Sequence, residues 1–209
     1  MRVSKKVVTA TVAVIAVAWV ATAALRFVGG LDQYCGVYRT DDRKEVLYRL
    51  GSPQNVLGAI EKGPWGLSQR VYTPGSSDPK QAMPPGKTEA DFPGWTYSPA
   101  DDMTITVSFD NSNGVENISC MTGHENACPH LAGVAFGDTE EQVFHKLGRH
   151  HARYMLDGVS KTLRYDDLGV EYVLTKDRVY ILTLLGTRPS LYASVVDYVL
   201  NIPRRLMPD

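Results

Sequence analysis

The feature that most constrains this chain is that part of it occurs twice. Asp41-Asp42-Arg43-Lys44-Glu45-Val46-Leu47-Tyr48-Arg49-Leu50-Gly51 aligns with Asp138-Thr139-Glu140-Glu141-Gln142-Val143-Phe144-His145-Lys146-Leu147-Gly148. An internal match of this kind signals two copies of one supersecondary unit. Each copy opens on a capping signal, Asp42 with Glu45 and Asp138 with Glu141, an acceptor followed three residues on by a carboxylate. Each then places apolar residues at i, i+1 and i+4 (Val46, Leu47, Leu50; Val143, Phe144, Leu147). Each stops at Gly, the residue favoured just past a helix end. Both copies are therefore expected to begin as a short helix with one buried stripe.

Strand patterns follow each helix. In the first copy Gly94-Trp95-Thr96-Tyr97 leads to Thr104–Phe109, a strict alternation, then the turn Asn111-Ser112-Asn113-Gly114 and a return strand over 115–119. In the second, Thr162–Tyr165 leads to Val170–Leu174, the turn Lys176-Asp177 and Arg178–Leu184. The link from helix to first strand is much longer in the first copy. Its excess lies in 58–93, rich in Pro and Gly, which reads as a long loop carrying Trp65. Leu191, Val195 and Val199 form a helical stripe over 190–201 behind Pro189 and the cap Ser190, suited to packing on its own domain or on a partner.

Ahead of all this, residues 7–25 carry no charge, Gly or Pro. As a helix they would rise about 28 Å, close to a bilayer's hydrocarbon thickness. Arg2, Lys5 and Lys6 precede the run, so its N-terminus is expected in the cytoplasm and the remainder outside. A retained anchor (Val7, Val14, Val17, Trp19, Leu25) competes with a signal peptide cleaved near Ala21-Thr22-Ala23 or Ala24. The expected class is thus α+β: an N-terminal transmembrane helix (1–29), a first helix-plus-antiparallel-sheet unit (30–130) and a second (131–209) that ends in a helix. The expected placement is single-pass in the inner membrane, with the bulk of the chain periplasmic. Four of the 22 Lys and Arg flank the apolar run, so the remainder faces 23 Asp and Glu without a basic stripe, which argues against nucleic acid.

The second helix, Gly137 to Gly148, with its Tyr-containing strand and the hairpin ending Arg178-Val179-Tyr180-Ile181-Leu182-Thr183-Leu184, resembles the small outer-membrane lipoproteins of the β-barrel assembly machine (SmpA/OmlA, or BamE-like). Two such units in tandem also resemble the β-lactamase inhibitor protein fold. The resemblance covers 36–57 with 94–119, and 131–185. It implies an α+β layer fold in an envelope protein that binds other proteins and has no catalytic centre. The chain departs from the lipoproteins in lacking a lipidation site, in its N-terminal apolar run, and in having two units.

Export makes a Cys120–Cys128 disulfide chemically reasonable, leaving Cys35 over. The competing reading sets Cys120, His124, Cys128 and His130 around zinc, at a spacing uncommon in structural sites. His145, His150 and His151 gather near a helix C-terminus, where basic groups are favoured without a special role. Asp101-Asp102 and Asp166-Asp167 sit at turns, which select Asp for local hydrogen bonds. No Gly-x-Ser-x-Gly, phosphate loop or His-Glu-x-x-His occurs. With no acid, base and nucleophile set, the chain reads as a non-enzyme without cofactor or metal.

The 11 Tyr and 3 Trp point instead to contact with proteins. Trp65, Trp95, Tyr97, Tyr165 and Tyr172 are the contact candidates, on an open sheet face and the long loop. The expected role is a scaffold or accessory subunit of a larger envelope membrane-protein complex, which would also touch the lipid bilayer through its anchor. The alternatives are a secreted soluble inhibitor and an envelope metal-binding protein.

Overall fold

A computed structural model of the chain describes residues 31–63, 66–123, 127–149, 153–156 and 160–186. Both repeated segments are short helices, and the local chemistry sets their ends. In α1 (Arg43–Leu50) the Asp42 carboxylate accepts from the Lys44 and Glu45 amides, and Glu45 returns the favour to the Asp42 amide at 2.8 Å. In α2 (Glu140–Leu147) the cap is Thr139 with Gln142, one residue later than the expected Asp138 with Glu141. Asp138 is engaged elsewhere, accepting from the Ala135 amide and from Lys146. Gly51 and Gly148 end the helices at φ 78° and 86°, a region open chiefly to glycine.

The rest is strand. A small hairpin, β1 (Gln33–Tyr34) and β2 (Val37–Tyr38), precedes α1. Then come β3 (Asn55–Gly63), β4 (Gly66–Tyr72), a 3₁₀ turn at Glu89–Asp91, β5 (Gly94–Ala100), β6 (Met103–Phe109) and β7 (Val115–Thr122). After α2 follow β8 (Arg153–Leu156), β9 (Lys161–Tyr165), β10 (Val170–Thr175) and β11 (Arg178–Leu185). β3 to β11 form one nine-stranded antiparallel sheet in the order β4-β3-β5-β6-β7-β11-β10-β9-β8. The order shows how the repeat is used. The first unit runs inward as β3-β5-β6-β7, the second as β8-β9-β10-β11, and their last strands pair at the centre with Ser119 opposite Thr183. β4 is the extra strand of the first unit.

Three expectations are corrected. The α+β arrangement with two separate helix-plus-sheet units gives way to a fold dominated by one shared sheet, because two eight-residue helices are too short to make a layer of their own. The long loop expected over 58–93 begins as the β3–β4 hairpin; its strands escaped notice because beyond Gly58 the described residues Ala59–Glu61 and Ser68–Val71 are exposed at every position and show no alternation. Third, among the described residues no helix is long and apolar enough to cross a membrane. An eight-residue helix rises about 12 Å, less than half the hydrocarbon thickness. The single-pass inner-membrane placement and its bilayer contact are therefore withdrawn. Val7, Val14, Val17, Trp19 and Leu25 lie outside the described residues, as does the expected helix over 190–201.

One face of the sheet is buried throughout. The transverse row Trp95–Val107–Ile118–Leu184–Val170–Tyr165 is fully buried or nearly so. Among the described residues, α1, the end of α2, the first hairpin and the loop before α2 pack on that side. Arg43 of α1 lays its guanidinium over the Phe109 and Trp95 rings, at 4.3 and 5.6 Å from their centroids. The Tyr165 hydroxyl donates to the Gly148 carbonyl at the end of α2. Tyr172 and Tyr34 donate to the Leu131 and Pro129 carbonyls of the connecting loop. Arg39, itself buried, donates to the Leu31, Leu168 and Gly169 carbonyls and ties the first hairpin to the β9–β10 turn.

Candidate binding surface

The opposite face follows from the same registers. Side chains directly opposite on paired strands share a face, and alternate residues return to it. The face away from the helices therefore carries Thr96, Thr106, Ser119, Thr183, Glu171 and Arg164 in one row across β5, β6, β7, β11, β10 and β9. The neighbouring row is Thr104, Met121, Ile181, Val173 and Thr162. The first row is polar and short, the second apolar in its middle. The Ser119 and Thr183 hydroxyls lie 3.0 Å apart across the central seam. Arg164 donates to Asp166 at 2.6 Å and stands 3.7 Å from Glu171. Burial raises the Glu171 carboxyl above the usual range; the Arg164 charge opposes that rise and Asp166 adds to it.

At its β4 edge this face becomes an arm. β3 pairs with β5 only through Asn55, Val56 and Leu57, yet it pairs with β4 out to Gly63 opposite Gly66. Beyond Leu57 the hairpin is thus a two-stranded ribbon projecting past the sheet. Leu57 stands opposite Val71, and Ile60 opposite Gln69, all on the outer face, with an irregularity between Leu57 and Ile60. The Gln69 amide donates to the Gly58 carbonyl there. Leu57 lies across Gly94, where an added Cβ would come within 3.2 Å of its Cδ1. Ile60 is 65% exposed and Val71 49%, far more than the apolar residues at the sheet centre.

The expected contact aromatics lie elsewhere. Trp95, Tyr97, Tyr165 and Tyr172 are on the buried face, at 0%, 4%, 0% and 0% exposure, so they build the core instead of a contact surface. Their alternation was read correctly, but alternation alone does not say which face meets the helices. Trp65 lies outside the described residues. The surface that does stand out was carried by Thr, Ser and β-branched residues, which the sequence offers as ordinary strand formers.

Cys120 and Cys128 form a disulfide, both sulfurs buried in the core. Their thiolates are then not available to a metal, which undoes the four-donor alternative; His124 lies outside the described residues. Among the described residues no group of three or more His, Cys, Asp or Glu is placed to hold a metal ion. Cys35 is a free thiol, half-buried, and burial pushes its pKa up to about 12 against the lowering effect of its hydrogen bond with Tyr34.

No protein-family model and no curated protein sequence matches the chain. Among solved structures it is similar to a DUF4309 family protein (YjgB) from Bacillus subtilis subsp. subtilis str. 168, at 13% identity and a TM-score of 0.40, over 70% of this chain and 79% of that one. It is also similar to an extracellular protein containing an SCP domain from Bacillus anthracis str. Ames, at 10% identity and a TM-score of 0.36, over 70% of this chain and 43% of that one. Likeness at this level says nothing of function.

Proposed function

We propose that this chain is a non-enzymatic protein-binding module that joins a larger protein complex through the β3–β4 arm at the end of its sheet. One observation carries the reading: Ile60 and Val71, 65% and 49% exposed, lie on the same side of a ribbon that projects beyond the sheet. A two-stranded ribbon is marginal in water by itself, and β-branched side chains there add nothing to the core. Both features make sense if another protein covers the arm. The resemblance of the two units to protein-binding BamE-like lipoproteins supports the same class of function.

The test is to purify the tagged chain with the protein that accompanies it, then repeat with Ile60→Asp/Val71→Asp and, as a control, Tyr48→Asp on α1, whose side chain is 92% exposed. The arm variant should lose the companion by at least about tenfold in affinity, the scale of a modest hot spot, at unchanged thermal stability, while the control keeps it. A companion retained by the arm variant would sink the reading.

A second reading, an inhibitor resembling the β-lactamase inhibitor protein, draws on the single sheet shared by both units, which gives one surface spanning the tandem. It requires the companion to be an enzyme whose turnover falls on binding.

A further inference from the structure

The turn between β6 and β7 carries chemistry that the arm does not use. Asn113 alone among the asparagines of the chain precedes a glycine, Gly114. With no side chain of its own, glycine lets its main-chain nitrogen close on the amide carbon of the preceding asparagine without hindrance. Asn113 is exposed and stands at φ 69°. Asn and Asp accept that left-handed region more readily than other residues with a side chain.

Each reacting atom has a partner. The Arg43 Nε donates to the Asn113 Oδ1 at 2.9 Å, and its guanidinium is held over the Phe109 and Trp95 rings. A fixed cation on an amide oxygen draws electrons from the amide carbon. It also stabilises the negative charge that nucleophilic attack builds on that oxygen. The Gly114 amide donates to the Asp110 Oδ1 at 3.0 Å. Hydrogen bonds from the Ser112 hydroxyl and from the Gly114 and Ser112 amides hold the Asp110 carboxyl below the usual range, so it is ionised at neutral pH. A carboxylate at that nitrogen can take its proton as the nitrogen attacks. Electrophile, oxyanion partner, nucleophile and proton acceptor thus meet in one turn and one arginine of α1.

We propose that Asn113 is a self-deamidating site. The Gly114 nitrogen bonds to the side-chain carbon of Asn113 and gives its proton to Asp110. The side-chain carbon–nitrogen bond breaks, and the departing nitrogen takes that proton and leaves as ammonia. Water then opens the cyclic imide to aspartate or to isoaspartate. Water is consumed, ammonia is released, and nothing is oxidised or reduced. The aspartate keeps the left-handed conformation and makes the Arg43 contact a charge-assisted hydrogen bond. The isoaspartate puts an extra methylene into the main chain beside Gly114, where the turn meets Asp41 and Asp42 ahead of α1.

The test follows conversion of Asn113 from amide to acid by peptide mass spectrometry in the full-length chain, folded at neutral pH and in denaturing urea. Conversion should be several-fold faster in the folded chain, whereas a turn that merely restrains the pair would slow it. Asp110→Asn should slow the folded chain several-fold and leave the rate in urea unchanged. Gly114→Ala should nearly stop conversion in both states; its Cβ would lie 3.5 Å from the nearest Asp110 atom, an ordinary contact that the turn accepts. A folded rate equal to or below the rate in urea overturns the proposal. So does a folded Asp110→Asn chain that converts at the full rate. If Asp110→Asn does not fold, the comparison of the unsubstituted chain in the two states decides alone.

Discussion

At the residue scale, Arg43 joins α1 to the sheet by contacts that a shorter cation cannot reproduce. Its guanidinium covers two rings, donates to the Phe92 carbonyl at 2.5 Å and to Asn113 at 2.9 Å. Cation–π contact and hydrogen bonds to a partly buried charge each contribute on the order of 1 kcal/mol. Arg43→Ala should cost about 2 kcal/mol in urea unfolding, and Arg43→Lys should recover less than half, having lost the planar fork. Cys35 makes a second case. With its thiol pushed up to about 12, it is almost wholly protonated at neutral pH and a poor nucleophile. Its alkylation rate in the native protein should keep rising with pH through 9, where an ordinary thiol levels off. A thiol whose folded pKa is raised stabilises the fold below its unfolded value, near 9, and that contribution is lost as the pH climbs toward 12. Cys35→Ser should therefore flatten the alkaline fall in melting temperature; an unchanged slope would mean that another group causes it.

At the scale of elements, the disulfide holds the end of β7 to the loop that leads to α2. Both sulfurs are buried, so a reductant reaches them only when the region opens. Dithiothreitol should leave the bond intact in native buffer and break it once denaturant is added, as two added hydrogens in the intact mass. Cys120→Ala/Cys128→Ala should lose about 2 kcal/mol, as expected for so short a loop. The same elements show what the sequence made legible. Helix ends and tight turns were readable because a few atoms decide them: Asp42 with Glu45, the two stopping glycines, and Lys176-Asp177, which takes up positive φ at both positions as a two-residue hairpin requires. The cap of α2 was misread by one residue because Asp138 and Thr139 both qualify, and Asp138 had a better partner in the Ala135 amide. The outward part of the arm, from Ala59 to Glu61 and Ser68 to Val71, is exposed at every position, so no pattern marked it. The face occupied by Trp95 and Tyr165 depends on where the helices return, a contact between distant segments that no local window contains.

At the scale of the molecule, nine strands in one sheet leave no seam at which the two units could part. β7 and β11 are joined over five residue pairs, from Ile181 with Met121 to Leu185 with Asn117. Thermal or urea unfolding should therefore be a single transition by both far-ultraviolet circular dichroism and tryptophan fluorescence. Residues 131–209 expressed alone should show no cooperative unfolding, since β11 would lose half its ladder; a cooperative transition there would contradict one shared core. The position of β11 also sets an order in time. It is the last of the described strands to leave the ribosome, yet it belongs beside the middle of the sheet. Until it arrives, β7 is a bare edge, and the first unit must wait with its hydrogen-bonding groups on offer to any passing strand. Nascent chains stalled before residue 178 are thus the form of this protein most in need of a chaperone.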